Sequence, residues 1–600
     1  MLRKSKFVDL GALLCLWVVL VVSFLLLSPR YETVPHRDSG IFLYVGSELL
    51  QGKLLYQQIW ENKQPLIYLL NAAGLWLSGG AVWGVWVIEL VLFGAAFSLA
   101  YFLLRRRLHP AAAWLLCAGS FLTIFQVMSG NFTEEYAVAF DLFLLSWFFL
   151  VYLRQLGFCR RILAALGMGV LAALPFCLKQ TYLNTSAAIA LFMLFLAWFE
   201  RDRRRLVDFG SYAAGFLLVN AGFFIYFLSR GALRDYWVDA FLINQVYSQQ
   251  GLLEWLHALQ MALAFNSDYP LLFLAVALWG SLAIFIAAVL IHWLRDHQYL
   301  AAVRWVLLCL GLACLGMFGY AQLRGAQAGI GLLQGICLGL GIFFTLGAAV
   351  LFWRHPRPTP LSSAPSLRQN LAGIEWTRVS PQSFFFLGFI DLPVTALFIS
   401  LSGQNFPHYY ISLLPSLFLL LSGAALFIEQ KLRAQEAHRF WNYLFVSLML
   451  VGIFAPVSSI FTRLRSSAGG DDRSAAAAYL KSVTQPGEKV LVWGWEAGIY
   501  YLAEREAPTR YAFQFPLYLD SPFQAQAQQT LLSDIESDPP SYILDTVDSE
   551  MPLLAGESLA ACRVGNSAAT DGLAAIRGYI CSHYVYVKSI GSYNLYQRAD

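Results

Sequence analysis

The sequence contains few charged residues for its length. Charged side chains make up only 13% of its 600 residues, whereas 58% of the residues are hydrophobic. This composition leaves too little polar surface to cover a water-soluble globule of this size, so most of the apolar surface is expected to face lipid. The scarcity of charge therefore argues against an ordinary soluble protein and favours a membrane protein.

The sequence patterns of nucleotide, metal and nucleic-acid chemistry are also missing. We find no Gly-rich phosphate loop, and none of the nine Cys residues combines with His at zinc-site spacing. The net charge of +4 comes from basic clusters at the ends of apolar runs, where such residues anchor spans. The sequence therefore predicts no metal, no cofactor and no nucleic-acid partner.

Long apolar runs divide the chain into two parts. Runs of about 20 apolar residues, enough to cross a bilayer, recur from Val8 to about Ile460. The first run is predicted to remain as an anchor, because no convincing cleavage site follows it. Residues 466–600 have ordinary charge density and no crossing run, which predicts a soluble domain after a membrane domain of residues 1–465.

The apolar segment 64–80 decides the topology. Without it the chain has about thirteen crossings, predicted to begin near Val8, Val82, Ala111, Glu135, Arg161, Thr181, Val207, Tyr269, Leu300, Ala328, Phe384, Pro407 and Trp441. Basic loops such as the one around Arg203 then lie in the cytoplasm with the N-terminus, and the C-terminal domain lies outside. Counting the segment would invert these loops, so we interpret it as a juxtamembrane or re-entrant helix of a multi-pass plasma or inner membrane protein.

Two cysteines lie in the predicted exported domain. An oxidising compartment would permit a disulfide between Cys562 and Cys581. Free buried thiols are the alternative, because spacing alone does not fix the geometry of a pair.

Ionisable residues gather in the loops predicted to lie outside the cytoplasm. They come from distant parts of the chain: Asp38 and Lys63 in the first outer loop (29–82), Glu134 and Glu135, Lys179, and His408, Tyr409 and Tyr410. A helical bundle would bring these loops to one surface, where they can line a common cavity. There Asp38 can act as a general base while Lys63 neutralises a departing phosphate.

Each of these residues also has a simpler interpretation. Asp38 can cap the amphipathic helix that follows it, a role compatible with catalysis. The two glutamates can favour a helix N-terminus through its dipole. The two lysines can be interfacial residues, and the His-Tyr-Tyr stretch can belong to an aromatic belt. The stronger evidence for a site is that all of these residues are predicted to lie on the same side of the membrane.

The first outer loop resembles that of the C-type membrane glycosyltransferases, in the branch of protein O-mannosyltransferases, aminoarabinose transferases and rhizobial core glycosyltransferases. The stretch RDSGIFLYVGSELLQGKLLYQQIWENKQP contains an acidic residue, a juxtamembrane helix, Gly-x-x-x-Tyr and Lys-x-Pro in the family's order. The resemblance implies an all-α polytopic membrane bundle of the C-type fold. We expect this bundle to be followed by the C-terminal extracytoplasmic domain, which the sequence pattern described below predicts to be α/β.

The resemblance also implies roles for individual residues. Asp38 corresponds to the catalytic acid, Lys63 to the lysine that contacts the donor phosphate, and Glu134 or Glu135 to the second acidic position. Lys179 and the His-Tyr-Tyr stretch look similar to patterns in bacterial members. The mannosyltransferase type carries an Asp-Glu pair in this loop, whereas Ser39 follows Asp38 here, which weakens the case for a second carboxylate or a metal at that point.

The activity implied is transfer of a sugar, with inversion, from a polyprenyl-phosphate donor to a glycan, lipid or protein acceptor, with no nucleotide sugar. Metal use varies in the superfamily, and we predict none. Two alternative functions remain open. An oligosaccharide ligase or polymerase would use a similar donor, and a lipid or solute transporter would show repeats and ionisable residues in mid-membrane. No repeat is evident, and the polar residues lie mainly near one surface.

The C-terminal region alternates helical and strand patterns. SAAAAYLKSV and AGIYYLAE predict helices, KVLVWGW and SYILDT predict strands, and YVYVKS with YNLYQR predicts a hairpin around a Gly-containing turn. The pattern predicts a small α/β domain that either contacts a glycan acceptor or forms a structural lid. Candidate contacts are Trp493, Trp495, Arg505, Arg510 and Tyr511.

Overall fold

The computed structural model describes residues 2–31, 34–125, 127–153, 156–248, 379–401, 406–431, 471–553 and 572–599. As predicted, the described part of the chain before residue 432 is mainly helical. Its helices are α1 (Leu2–Leu25), α2 (Arg37–Leu50), α3 (Leu66–Leu77), α4 (Trp83–Leu104), α5 (Pro110–Phe125), α6 (Thr133–Trp147), α7 (Phe158–Phe176), α8 (Asn184–Glu200), α9 (Arg204–Ser229), α10 (Leu233–Trp237), α11 (Ile243–Tyr247), α12 (Pro381–Ser400) and α13 (Leu414–Lys431).

Short segments of other helical types join these helices. A π-helical segment, Phe148–Tyr152, continues α6, and another, Val238–Leu242, connects α10 to α11. The 3-10 segments Gln180–Leu183 and Pro407–Leu413 lead into α8 and α13. The first of these 3-10 segments adjoins Lys179, and the second contains His408, Tyr409 and Tyr410, all of which the sequence analysis assigned to the site.

Within the described residues, eight helical segments are long and apolar enough to cross a bilayer. They match the spans predicted to begin near Val8, Val82, Glu135, Arg161, Thr181, Val207, Phe384 and Pro407. The span predicted near Ala111 is α5, which is shorter at 16 residues. The predicted spans near Tyr269, Leu300, Ala328 and Trp441 lie outside the described residues. The chain is a multi-pass membrane protein.

Helix α3 occupies the segment that decides the topology. Its 12 residues give a length of about 18 Å, which is less than the apolar thickness of a bilayer. A Cβ atom on Gly74 would lie 2.6 Å from Cα of Val85. The glycine therefore lets α3 lie directly against the beginning of α4.

The C-terminal region contains a four-stranded sheet with the strand order β1-β2-β4-β3. Strands β1 and β2 are parallel, and the other pairs are antiparallel. The predicted hairpin is β3 with β4, which are joined through Gly591 at φ +59°. The elements are α14 (Asp472–Val483), β1 (Val490–Trp493), α15 (Gly498–Ala503), α16 (Phe515–Tyr518), α17 (Gln524–Ser537), β2 (Tyr542–Asp545), α18 (Gly572–His583), β3 (Tyr584–Ile590) and β4 (Tyr593–Arg598).

Two predictions about this region fall partly outside the described residues. The boundary between residues 465 and 466 lies there, as does Cys562. Cys581 is disulfide-bonded. The pairing of Cys581 with Cys562 therefore stays a prediction.

The hydrophobic residues form two main cores. One fills the membrane bundle, with Phe121 and Leu145 among its fully buried members. The other joins the first loop to the C-terminal sheet, because Phe42 and Trp60 belong to the same cluster as Val492. The C-terminal region and the first loop therefore pack as one layer over one end of the bundle.

Candidate active site

Asp38 lies in the first turn of α2. The N-cap position of this helix is His36, and no side chain caps it by a hydrogen bond, so Asp38 is not the helix cap. Its carboxylate lies 3.8 Å from Nζ of Lys63 and 3.7 Å from Nε of Arg37. With 21% of its side chain exposed, Asp38 is accessible to a ligand.

Lys63 is held beside Asp38 by a tightly bonded loop. The hydroxyl of Tyr56, the tyrosine of Gly-x-x-x-Tyr, donates to the Lys63 carbonyl at 2.7 Å, and Tyr56 adopts φ +68°, which is uncommon for a non-glycine residue. The Glu61 carboxylate accepts from the Tyr68 hydroxyl and from the Lys63 backbone N–H. The ammonium of Lys63 lies 4.9 Å from the Phe42 ring centroid. The loop therefore fixes both ends of the lysine.

Electrostatics keeps Asp38 and Lys63 charged. Burial by itself would raise the pKa of Asp38, but the surrounding basic groups, Lys63 first and then His408 and Arg37, bring it below the usual value. Burial would lower the pKa of Lys63, but Asp38 and Glu61 raise it above the usual value. At neutral pH the pair consists of a carboxylate and an ammonium ion.

Glu134, in the first turn of α6, forms the second half of the site. Its carboxylate lies 3.6 Å from Nζ of Lys179 and 3.9 Å from Nε2 of His408, and it accepts a hydrogen bond of 2.9 Å from Thr133. The Lys179 ammonium lies 3.9 Å from the Tyr409 ring centroid. The predicted residues Glu134, Lys179, His408 and Tyr409 therefore form one cluster.

The two halves of the site adjoin each other. The Phe132 ring lies close to two imidazoles, with ring centroids 5.0 Å from that of His36 and 4.9 Å from that of His408. Lys63 interacts electrostatically with both Lys179 and Glu134. Two ammonium groups therefore face a common space with two carboxylates, an arrangement that can bind a phosphate and accept a proton.

Glu135 faces away from this space. Its carboxylate oxygens accept hydrogen bonds from the backbone N–H groups of Ser129, Gly130 and Phe132, at 2.8 to 3.2 Å. It is fully buried. Glu135 therefore shapes the loop that leads into α6, whereas its neighbour Glu134 lines the site.

Tyr410 and most of the residues suggested from the C-terminal region lie away from the cluster. Tyr410 is buried in the membrane core. Trp493 is fully buried, and Arg505 binds backbone carbonyls at the end of α14. Arg510 pairs with Asp239. Tyr511 is buried in the core that joins the first loop to the sheet.

Trp495 lies near the catalytic candidates. It is partly exposed, and Cζ of Arg37, the residue before Asp38, lies 4.8 Å from the centroid of its ring. This is the one suggested C-terminal contact that the described structure brings beside the first turn of α2.

Sequence reasoning missed Asn131, which connects four helices behind Asp38. Its side-chain amide donates to Ser39 of α2 and to Asn71 of α3, and its backbone N–H donates to Glu89 of α4. The Tyr136 hydroxyl of α6 donates to its side-chain oxygen. Asn131 adopts φ +60°, a conformation that Asn tolerates better than most residues. The Gly-Asn dipeptide at 130–131 signals a turn, but not these partners.

The carbonyl of Ala240 connects the two lysine-bearing segments. Gln64, next to Lys63, donates to it at 3.3 Å, and Gln180, next to Lys179, also donates to it. The π-helical segment Val238–Leu242 thus holds the segments that carry Lys63 and Lys179 next to each other. No sequence motif marks this function, because a backbone carbonyl carries no residue signature.

Among the described residues, no group of three or more His, Cys, Asp or Glu side chains is arranged to hold a metal ion. No protein-family model matches the chain, and no curated protein matches it.

Solved membrane proteins match the structure. ArnT from Cupriavidus metallidurans bound to undecaprenyl phosphate is similar with a TM-score of 0.50 and 11% identity, over 96% of this chain and 96% of that chain. The likeness covers nearly all of both proteins. The chain has the fold of C-type glycosyltransferases.

This C-type fold is also the one expected from the first loop. The apo state of the same ArnT matches with a TM-score of 0.46 and 12% identity, over 99% and 98% of the two chains. The archaeal oligosaccharyltransferase AglB from Archaeoglobus fulgidus, in complex with an inhibitory peptide and a dolichol-phosphate, matches with a TM-score of 0.43 and 14% identity, over 99% of this chain and 75% of that chain.

Proposed function

We propose that the protein is a glycosyltransferase that moves a sugar from a polyprenyl-phosphate donor to an acceptor on the non-cytoplasmic face of the membrane. The observation that carries the proposal is the pairing of Asp38 with Lys63 beside the pairing of Glu134 with Lys179. The fold of an ArnT bound to undecaprenyl phosphate supports it, since that protein binds a lipid phosphate.

In this proposal Asp38 is the general base. The acceptor hydroxyl attacks the anomeric carbon on the side opposite the phosphate, and Asp38 takes its proton. The bond between the anomeric carbon and the phosphate oxygen breaks, the phosphate keeps the electron pair, and the configuration is inverted. Because the cations around Asp38 lower its pKa, the base is ionised at neutral pH.

Lys63 and Lys179 stabilise the phosphate as it leaves. Charge-assisted contacts to phosphate are strong in a partly buried site, so two ammonium groups can supply the neutralisation. In the proposal, Glu134 is the supporting acid and positions Lys179. Glu135 shapes the loop that leads into α6. His408 and Tyr409 are donor contacts in the proposal, and Tyr410 supports them through packing.

The test supplies radiolabelled polyprenyl-phosphate sugars and candidate acceptors to the purified protein and to its Asp38→Asn variant. We expect the variant to lose transfer by about 100-fold or more, because it keeps the shape of the side chain and loses the base. Asp520→Asn, which changes an exposed carboxyl outside the site, is the matched control and is expected to retain full activity. Equal turnover by Asp38→Asn and the unsubstituted protein would remove Asp38 from the mechanism.

The proposal includes no divalent metal, and the same assay examines this point. Addition of a chelator is expected to leave transfer unchanged. Loss of transfer that returns when magnesium or manganese is added would contradict this part of the proposal.

A further inference from the structure

Buried acidic residues lie inside the membrane bundle, beneath the cluster of Glu134 and Lys179. Asp141 of α6 and Asp391 of α12 are 1% and 0% exposed. Glu134 and Asp141 are about two helical turns apart on one face, which places Asp141 about 10 Å further into the bundle. The sequence analysis placed the polar residues mainly near one surface. It missed this pair because each acid lies within an apolar run.

A small cavity of about 10 Å³, enough for about one water molecule, lies beside the cluster. Its wall includes Lys179 and Tyr409 together with Asn184, Thr395 and Ser412, and Asp141 and Asp391 are not part of it. Further polar groups continue from the cavity into the bundle, since Thr395 lies one helical turn from Asp391, and Ser412 lies one turn from Ser416. We call the following set the polar shaft: Asn184, Thr185, Thr395, Ser412 and Ser416, with Asp141 and Asp391 at its floor.

The floor of the polar shaft is rich in acceptor oxygens and poor in donors. Both carboxylates interact with Thr185 of α8. One oxygen of each carboxylate and the Thr185 hydroxyl lack a well-aligned hydrogen bond within the described part of the chain. The Ser416 hydroxyl donates to the other oxygen of Asp391. The Asn184 side-chain oxygen and the Ser412 hydroxyl, higher in the shaft, also lack such a partner there.

Such an arrangement is costly without positive charge. No Lys, Arg or His among the described residues forms an ion pair with Asp141 or Asp391. Moving an ionised carboxylate into an apolar interior costs many kcal/mol of solvation free energy. A bound cation can offset this cost, and protonation of the carboxylate avoids it. Ionisable residues in the membrane are usually functional for this reason.

We propose that the floor of the polar shaft binds a monovalent alkali cation through oxygens of Asp141, Asp391 and Thr185. Hard cations prefer carboxylate and hydroxyl ligands. Magnesium gives up its water reluctantly and calcium takes six to eight oxygens, whereas a monovalent ion loses less hydration energy on entering the bundle, so we assign the site to a monovalent ion. The cation balances one carboxylate and a proton balances the other. The site is separate from sugar transfer, and its occupancy is measured without turnover.

The test follows thermal unfolding of the purified full-length protein in detergent. Sodium, potassium, magnesium or calcium chloride is titrated against choline chloride at constant ionic strength. We expect sodium or potassium to raise the melting temperature in a saturable manner, because a ligand bound only by the folded state stabilises it. Equal curves for all salts, as expected if the shaft holds only water or protons, would overturn the proposal, as would stabilisation by the divalent ions alone.

Substitutions locate the site. Asp141→Asn and Asp391→Asn are expected to raise the half-saturating cation concentration by about tenfold or more. Thr185→Val keeps the shape of the side chain and is expected to raise this concentration by about threefold, which provides a test even if the Asn variants do not fold. Ser120→Ala is the control, because Ser120 is also buried without a hydrogen bond to the described residues but lies on α5, outside the shaft. Variants that respond as the unsubstituted protein does would contradict the assignment.

Discussion

At the scale of single residues, the charge of Asp38 depends on its neighbours. Burial raises the pKa of Asp38 and Lys63 is the strongest influence that lowers it, followed by His408, Arg37 and His36. As the proposed general base, Asp38 would work only when ionised, so we expect activity to be lost as the pH falls through its pKa. Any change that removes a neighbouring cation should therefore narrow the active range from the acid side.

We predict that Lys63→Met moves the acid limb of kcat/KM to higher pH by about one pH unit, in addition to lowering the maximum. The pH profile of transfer measures this shift separately from the loss of phosphate binding. Arg37→Gln is the control, since Arg37 has a smaller influence and a 39% exposed side chain, and its acid limb should move less. An unmoved limb in Lys63→Met would contradict the proposed coupling.

The same scale shows where sequence reasoning reaches its limit. Asp38, Lys63, Glu134 and Lys179 were selected as candidates because they are ionisable residues beside apolar runs, on one predicted side of the membrane. The sequence did not predict which of the two adjacent residues, Glu134 or Glu135, lines the site. Adjacent helical residues point about 100° apart, and only the packing of α6 decides which one faces the site.

At the scale of elements, α2 is held against the C-terminal region by a close approach of two glycines. A Cβ atom on Gly40 would lie 2.8 Å from Cα of Gly498, at the start of α15. Nearby, the Tyr44 hydroxyl accepts a hydrogen bond from the Ala507 backbone, and Lys53 joins Glu48 to Glu506. Because Asp38 is in the same helix, this contact also sets the position of the proposed base.

We predict that Gly40→Ala lowers the free energy of unfolding by about 1–3 kcal/mol, since backbone must shift to admit the methyl group. Thermal unfolding in detergent measures the effect. Gly210→Ala is the matched helical control, because nothing lies within 4 Å of its added Cβ, and it is expected to be neutral or slightly stabilising. Equal melting temperatures for the two variants would show that the contact is not tight.

Elements with a strong local pattern were predictable, whereas their partners were not. The alternation in YVYVKS and YNLYQR predicted the hairpin of β3 and β4, and the distribution of basic loops predicted that the apolar segment at 64–80 is a juxtamembrane or re-entrant helix. The parallel pairing of β1 with β2 and the contact of Gly40 with Gly498 bring together residues far apart in sequence. A single sequence carries no signal for such contacts.

At the scale of the whole molecule, Arg510 connects three separate parts of the chain. Its guanidinium donates to the Tyr56 carbonyl in the first loop and to the carboxylate of Asp239 in the π-helical segment, and it lies 3.9 Å from Asp235. The same π-helical segment provides the Ala240 carbonyl that aligns the two lysines. Docking of the C-terminal region is therefore physically connected to the geometry of the proposed phosphate-binding groups.

This connection should depend on pH through Asp239. Burial raises the pKa of Asp239 from 3.8 to about 7, although Arg510 opposes the rise. Between these pH values the folded protein binds a proton that the unfolded chain has released, so the free energy of unfolding falls as the pH increases from 3.8 toward 7. The stabilisation is fully present below the lower value and is lost as the pH rises through the upper one.

We predict that the melting temperature of the purified protein falls between pH 5 and pH 8 and that Asp239→Asn, which cannot ionise, removes this part of the decline. Asp520→Asn is the control, because its exposed carboxyl lies apart from Arg510, and its profile should follow that of the unsubstituted protein. If Asp239→Asn retains the same decline, a different group controls it.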